Sequence, residues 1–301
     1  MKTIMFVTSV IALAAVFVTP VNAQFPLEIE VIRDLPYTIP LNDDANEQLL
    51  DVYAPTVDGD WPAVIMFHGG SGTKNIEPMV ELSRMIAERG AVVFNANILR
   101  GDGAQLYRRH ENGAGVRQFI EEGVCAVRFA RAMVAEYGGS GDRVIIFGHS
   151  GGGYVGLWVS LVGDSASEVW DTFAATRNGP SQQVECVANN DVSVRPDAMI
   201  GYAGAYVFFD QDQFVEDDPE LQQVITPRTY IGGNPDLVLR FILGRQDRLM
   251  PDFAVEWTEQ LYNDLADAGY NITWTVLEGE HMFPTDTPAI DSLMAVIGEV
   301  L

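Results

Sequence analysis

Short apolar runs rich in β-branched residues alternate along this chain with longer segments of helical periodicity. Residues 63–67, 91–95, 143–147, 198–202, 238–243 and 272–277 read as strands, most of them apolar throughout, as strands covered on both faces are. Residues 77–89, 115–137, 252–268 and 289–300 read as helices. In the second of these Val116, Phe119, Ile120, Val124, Val127 and Val134 fall near helical spacing and mark one buried face. Strands alternating with helices predict an α/β class: a mostly parallel central sheet flanked by helices. Residues 27–32 and 49–53, which precede this rhythm, are expected as edge strands, the second ending just before Pro55.

Two stretches break the pattern. Residues 164–197 and 203–236 are long for connections and rich in Asp, Asn, Gln, Pro and aromatics. Connections of that length tend to be lids or binding loops, so inserted loops or a small cap are expected over a pocket. Trp170, Phe173, Tyr206, Phe208, Phe209 and Phe214 are candidate linings, and each is equally readable as an anchor that only holds its loop down.

The N-terminus has a different composition. Met1-Lys2 opens it, Ile4 to Val18 is apolar except for Thr8 and Ser9, and Val21-Asn22-Ala23 offers a small-residue cleavage site. The apolar run is short for a span and no basic stop-transfer cluster follows. Residues 1–23 are therefore expected to be a secretory signal peptide, with 24–301 a single domain that is secreted or periplasmic. Removing that segment takes away Lys2 and moves the formal net charge from −24 to −25, with Lys74 the one lysine left. Such acidity argues against nucleic acid and against anionic membranes, and no stable membrane insertion is expected. Two cysteines, Cys125 and Cys186, remain; export makes a bridge between them permissible and the favoured reading, two buried thiols being the alternative.

Candidate chemistry centres on Gly148-His149-Ser150-Gly151-Gly152. A β-branched run leads into it and a small-residue helical segment leads away, the setting of a strained strand-to-helix turn that lifts a serine hydroxyl above a sheet. A serine needs a base, and the chain holds four histidines. His149 adjoins the serine and should point away from its hydroxyl, His110 sits in a charged surface-like segment, and His68 ends a strand in a glycine turn. His281, just past the last predicted strand, is the candidate base. Asp247, in the turn after 238–243, is the candidate acid that orients it, with Asp252 and Asp210 as alternatives. Backbone N–H groups of Gly69, Gly70 and Gly151 are the candidate oxyanion hole. The glycine turn lacks the Gly-Lys-Ser/Thr ending of a phosphate cradle.

His68-Gly69-Gly70, Gly148-His149-Ser150-Gly151-Gly152, Gly244-Arg245-Gln246-Asp247 with Pro251, and Gly279-Glu280-His281 together resemble the α/β-hydrolase superfamily. The likeness is to the esterases related to hormone-sensitive lipase and to bacterial carboxylesterases, from about Leu49 to the C-terminus. Two departures stand out: Ser71-Gly72-Thr73 replaces the usual third glycine and aromatic, and Asn95-Ala96-Asn97-Ile98 replaces a Tyr-Arg pair. The resemblance implies a Ser–His–Asp acyl-enzyme mechanism, without cofactor or metal, on small or short-acyl carboxylic esters. Alternatives are an esterase removing acetyl or feruloyl groups from polysaccharide, a serine peptidase, and a non-catalytic binding protein on the same scaffold. The partner expected is thus a small-molecule or polymer-borne ester; oligomeric state is left open.

Overall fold

The computed structural model describes residues 26–41, 48–70, 72–98, 114–176, 184–207, 218–250, 252–284 and 289–301. Its strands are β1 (Ile29–Pro36), β2 (Thr38–Pro40), β3 (Leu49–Pro55), β4 (Trp61–Phe67), β5 (Val92–Ala96), β6 (Gly139–His149), β7 (Val184–Cys186), β8 (Ala198–Tyr202), β9 (Val238–Gly244) and β10 (Asn271–Leu277). Eight of them form one sheet in the order β1-β3-β5-β4-β6-β8-β9-β10, and β2 pairs with β7 apart from it. From β5 to β10 all neighbours are parallel, while β1 and β3 run antiparallel at one side.

Parity of the strand residues sorts the core into two layers. Ile65, Phe67, Phe94 and Ile146 face helices α2 (Ala114–Met133) and α3 (Gly151–Val162), packing on Phe119, Ile120 and Trp158. Val64, Met66, Val93, Ile145 and Ile200 face the other way, onto α1 (Glu77–Ala87) and α7 (Ala289–Gly298) through Leu82, Ile86, Leu293 and Ile297. Both faces of the central strands are thereby dry, which is why their sequences are apolar without alternation. This is the α/β-hydrolase fold, with a mostly parallel sheet flanked by helices. No described helix is long and apolar enough to cross a membrane.

One expectation needs correction. The strand 49–53 is not an edge: β1 pairs outside it, and β3 is buried along nearly its whole length. The insertion 164–197 carries α4 (Ala166–Ala175) and β7; 203–236 carries α5 (Pro219–Ile225) and a 3₁₀ turn, Pro227–Tyr230. Of the two readings open for Trp170, Phe173 and Tyr206, the structure has them as anchors. Trp170 stacks on Trp158, Phe173 meets Trp170 edge-on, and Tyr206 stacks on Phe241, all within the main core. Large aromatic faces beside a helix-covered sheet gain more by burial than by lining a wet pocket. Phe208, Phe209 and Phe214 lie outside the described residues. Cys125 of α2 and Cys186 of β7 are bonded across 61 residues of sequence, fastening the small β2–β7 sheet to the body. A closed loop of that length is worth on the order of 4 kcal/mol in the chain-entropy account.

Candidate active site

Because β4, β6, β8, β9 and β10 are parallel and in close register, their C-terminal ends share one edge of the sheet, where α/β folds bind ligands. Ser150 stands there between β6 and α3 with φ 50° and ψ −116°, a conformation L-residues rarely adopt. Surrounding hydrogen bonds hold it: its N–H donates to the Tyr202 carbonyl at 3.0 Å, and its carbonyl accepts from Gly153 and Ala205, each at 2.9 Å. The flanking glycines are required by close approach. A Cβ on Gly148 would lie 2.4 Å from the Gly152 oxygen, and one on Gly152 would lie 2.4 Å from the Phe67 oxygen.

The glycine turn after β4 meets this serine. A Cβ on Gly69 would sit 3.1 Å from the Ser150 Cβ, and the Gly70 nitrogen lies 3.4 Å from where a Gly151 Cβ would be. Gly69, Gly70 and Gly151 therefore gather around Ser150, beside the positive end of α3. His68 is buried beneath the turn. Its Nε2 accepts the Ile98 N–H at 3.1 Å, which puts the proton on Nδ1, from where it is donated to the Gly69 carbonyl at 2.7 Å.

Sequence reasoning missed what pins the far end of this turn. Lys74 is 2 % exposed, with its ammonium 2.5 Å from the fully buried Asp51 and 2.8 Å from Asp34. Burial opposes that charge, but the two carboxylates outweigh it and leave the Lys74 pKa raised. Asn97 accepts the Lys74 N–H at 2.9 Å and Asn95 donates to its carbonyl at 2.8 Å. The available signal was Lys74's standing as the one lysine after residue 23.

Asp247 occupies the turn after β9, 2 % exposed. Its Oδ1 accepts the N–H groups of Leu249 at 2.9 Å and Met250 at 3.1 Å, leaving Oδ2 for His281 Nδ1 at 2.9 Å. Asp252 is instead the exposed first residue of α6 (Asp252–Asp267), while Asp210 and His110 lie outside the described residues.

His281 starts from β10, three strands from β6, roughly 14 Å across the sheet. The loop after β10 bridges that gap by folding back over β9 and β8. It passes so close above Gly244 that a Cβ there would lie 2.3 Å from the Glu280 oxygen; Tyr202 donates its hydroxyl to that same oxygen at 3.1 Å. Phe283 then buries against Phe147, Tyr202 and His149. Gln246 ties the two loops, donating its N–H to the Gly279 carbonyl at 2.8 Å while its Oε1 accepts the Gly279 N–H at 2.6 Å. Among the described residues no hydrogen bond joins Ser150 to His281 directly. His149 connects them, donating Nε2–H to the His281 carbonyl at 2.9 Å with the two rings 5.1 Å apart, edge to face.

Burial pushes the His149 pKa down to about 4. The sign of its pH effect follows. In the unfolded chain the imidazole takes a proton near its ordinary pH of about 6.5, whereas in the folded chain it stays neutral down to about 4. Between those limits the unfolded state binds the extra proton, so stability falls as pH drops through the window, by about 3 kcal/mol in all. Urea midpoints of wild type and His149→Gln should thus converge as pH is lowered from 7 to 4. A constant gap between them would show that His149 is not the group responsible.

A family model described as the dienelactone hydrolase family matches residues 50–216, more than half of the chain, spanning the glycine turn and the Ser150 elbow. The chain belongs to the dienelactone hydrolase family. Asp247 and His281 follow the matched segment in sequence. The expected closer tie to the hormone-sensitive-lipase group is not what this match reports, in keeping with the departures after Gly70 and Asn95. Rabbit (Oryctolagus cuniculus) cocaine esterase is 26 % identical over 129 residues, 42 % of this chain but only 24 % of the rabbit protein. Among solved structures, a truncated carbohydrate esterase from gut microbiota superposes with a TM-score of 0.64 at 16 % identity, covering 92 % of this chain and 98 % of that one. Esterase Est2 of Thermogutta terrifontis gives 0.62 at 17 % identity, over 88 % and 90 %. The acetyl ester-xyloside bifunctional hydrolase of Caldicellulosiruptor lactoaceticus gives 0.61 at 17 %, over 87 % and 94 %. At such identities this dienelactone hydrolase family member shares their fold.

Proposed function

We propose that this protein is an exported serine hydrolase of carboxylic esters, with Ser150 as nucleophile, His281 as base and Asp247 as the acid that orients it. The observation that carries the reading is the Asp247–His281 hydrogen bond of 2.9 Å, set on a loop that folds back over two strands to the strained serine. Ser150 Oγ attacks the carbonyl carbon as His281 Nε2 takes its proton, and Asp247 holds the imidazolium through Nδ1–H. The charge that forms on the carbonyl oxygen is met by the N–H groups of Gly151 and of the Gly69–Gly70 turn. Collapse expels the alcohol, which takes the proton from His281. Water activated by the same imidazole then attacks the acyl-enzyme, releasing the acid and restoring Ser150.

Export rests on the N-terminal segment and is supported by the Cys125–Cys186 bridge, a linkage suited to an oxidising compartment. One mass-spectrometric experiment tests both parts. The protein recovered from the exported fraction and treated with a fluorophosphonate should begin at Gln24 and carry a single adduct, on the peptide containing Ser150. A chain beginning at Met1 refutes export; an unmodified Ser150 refutes the nucleophile.

A further inference from the structure

Away from the serine, an open groove of about 440 Å³ runs between the α5 segment and α6. Its volume lies within the range of small-molecule sites, but its lining is not the apolar one typical of them. Gln222 and Gln223 come from α5, Thr226 and Thr229 from the turn that follows, and Trp257 and Gln260 from α6. Each glutamine amide both donates and accepts, and each threonine hydroxyl does the same. The accessible hydroxyl is that of the exposed Thr229, because Thr226 Oγ1 is buried out of a ligand's reach. Trp257 adds a flat apolar surface beside these polar groups.

The groove's cation is already spoken for. Arg228 pairs with Asp264 at 2.7 Å, tying the α5 side to α6. With that charge matched and a formal net charge of −24 on the chain, the groove is ill suited to an anion. Amides and hydroxyls around an aromatic face fit a neutral ligand with vicinal hydroxyls and apolar C–H faces, which is the chemistry of a sugar ring.

The walls of the groove are held to the helix that follows Ser150. Asp218 caps α5 by accepting the Leu221 N–H at 2.9 Å. Ile225 and Val224 are held on α3 by hydroxyl and indole donors, Tyr154 at 2.6 Å and Trp158 at 2.8 Å. Tyr154 is one turn beyond Ser150 on that helix, and α6 starts just after the Asp247 turn. One wall thus packs on the helix that follows Ser150, and the other is the helix that follows the Asp247 turn.

We infer that this groove binds the neutral glycan portion of an acyl-bearing polysaccharide, so that the substrate class is carbohydrate esters. The inference rests on the ester-hydrolase reading for its purpose, but its binding arm is independent of catalysis. Ser150→Ala protein titrated with xylohexaose should show a saturable change in tryptophan fluorescence. Adding Trp257→Ala, or the exposed pair Gln223→Ala/Gln260→Ala, should weaken that binding at least tenfold.

In the active enzyme the same groove substitutions should leave kcat/KM for p-nitrophenyl acetate within about twofold and lower it at least tenfold on acetylated xylan. The glutamine pair guards against a fold defect in Trp257→Ala. No binding of xylohexaose by Ser150→Ala, or equal losses on both substrates, overturns the inference. Binding without ester turnover by the wild type would instead overturn the ester-hydrolase reading and leave the glycan site standing.

Discussion

Ser150→Ala is expected to lower kcat on an aryl ester by about 10⁴- to 10⁶-fold, the range seen when the nucleophile of a triad is removed. The substitution deletes one oxygen and keeps the Cβ, so the strained φ of 50° and the three backbone hydrogen bonds around it persist. Its urea midpoint should therefore match that of the wild type, which separates chemistry from folding. Ser150→Gly should be equally inactive but more stable, by about 1–2 kcal/mol, because glycine adopts this backbone region without steric cost. Retention of activity within tenfold by the alanine variant would remove Ser150 from the mechanism.

Asp247→Asn should cost about 10⁴-fold in kcat at neutral pH for a different reason. Two backbone donors, the N–H groups of Leu249 and Met250, both point at Oδ1. An asparagine there keeps those bonds only by placing its carbonyl oxygen at that position. Its NH₂ then faces His281 Nδ1, which must become an acceptor, and the ring proton moves to Nε2. A base already protonated at Nε2 cannot take the Ser150 proton. The fold should be preserved, since every backbone donor in the turn keeps its acceptor, whereas Asp247→Ala would leave two of them without one. Stopped assays beside thermal melts distinguish these outcomes. Near-normal turnover in the Asn variant would show that another group orients His281.

What could be read locally was read well. The apolar runs of β4, β6, β8 and β9, the helical stripe of α2, and the strand–Gly-x-Ser-x-Gly–helix setting of Ser150 are all local patterns with one physical reading. The failures were non-local. The brevity of 49–53 and the proline after it are edge signs; its antiparallel pairing with β1, the strand expected at 27–32 and the actual edge, puts it inside. For Trp170, Phe173 and Tyr206 the sequence leaves lining and anchor equally open, because an aromatic in a long connection has no periodicity to say which way it faces. The charge network of Lys74, Asp51 and Asp34 draws on residues up to 40 positions apart. The adjacency of His149 to Ser150 says that its ring points elsewhere, but not that it meets the His281 carbonyl.

Residue order alone therefore specified a mostly parallel sheet, the turn that strains Ser150, and glycines where the backbone must pass within van der Waals distance. Each follows from the steric and hydrophobic preferences of a few adjacent residues. Tertiary packing decided which carboxylate among many meets His281, how that histidine crosses two strands to the serine, and how the groove beside α6 is walled. Those outcomes depend on side chains made neighbours only by the fold, where burial of Phe283 against Phe147, Tyr202 and His149 and the pairing of Lys74 with Asp51 favour one arrangement.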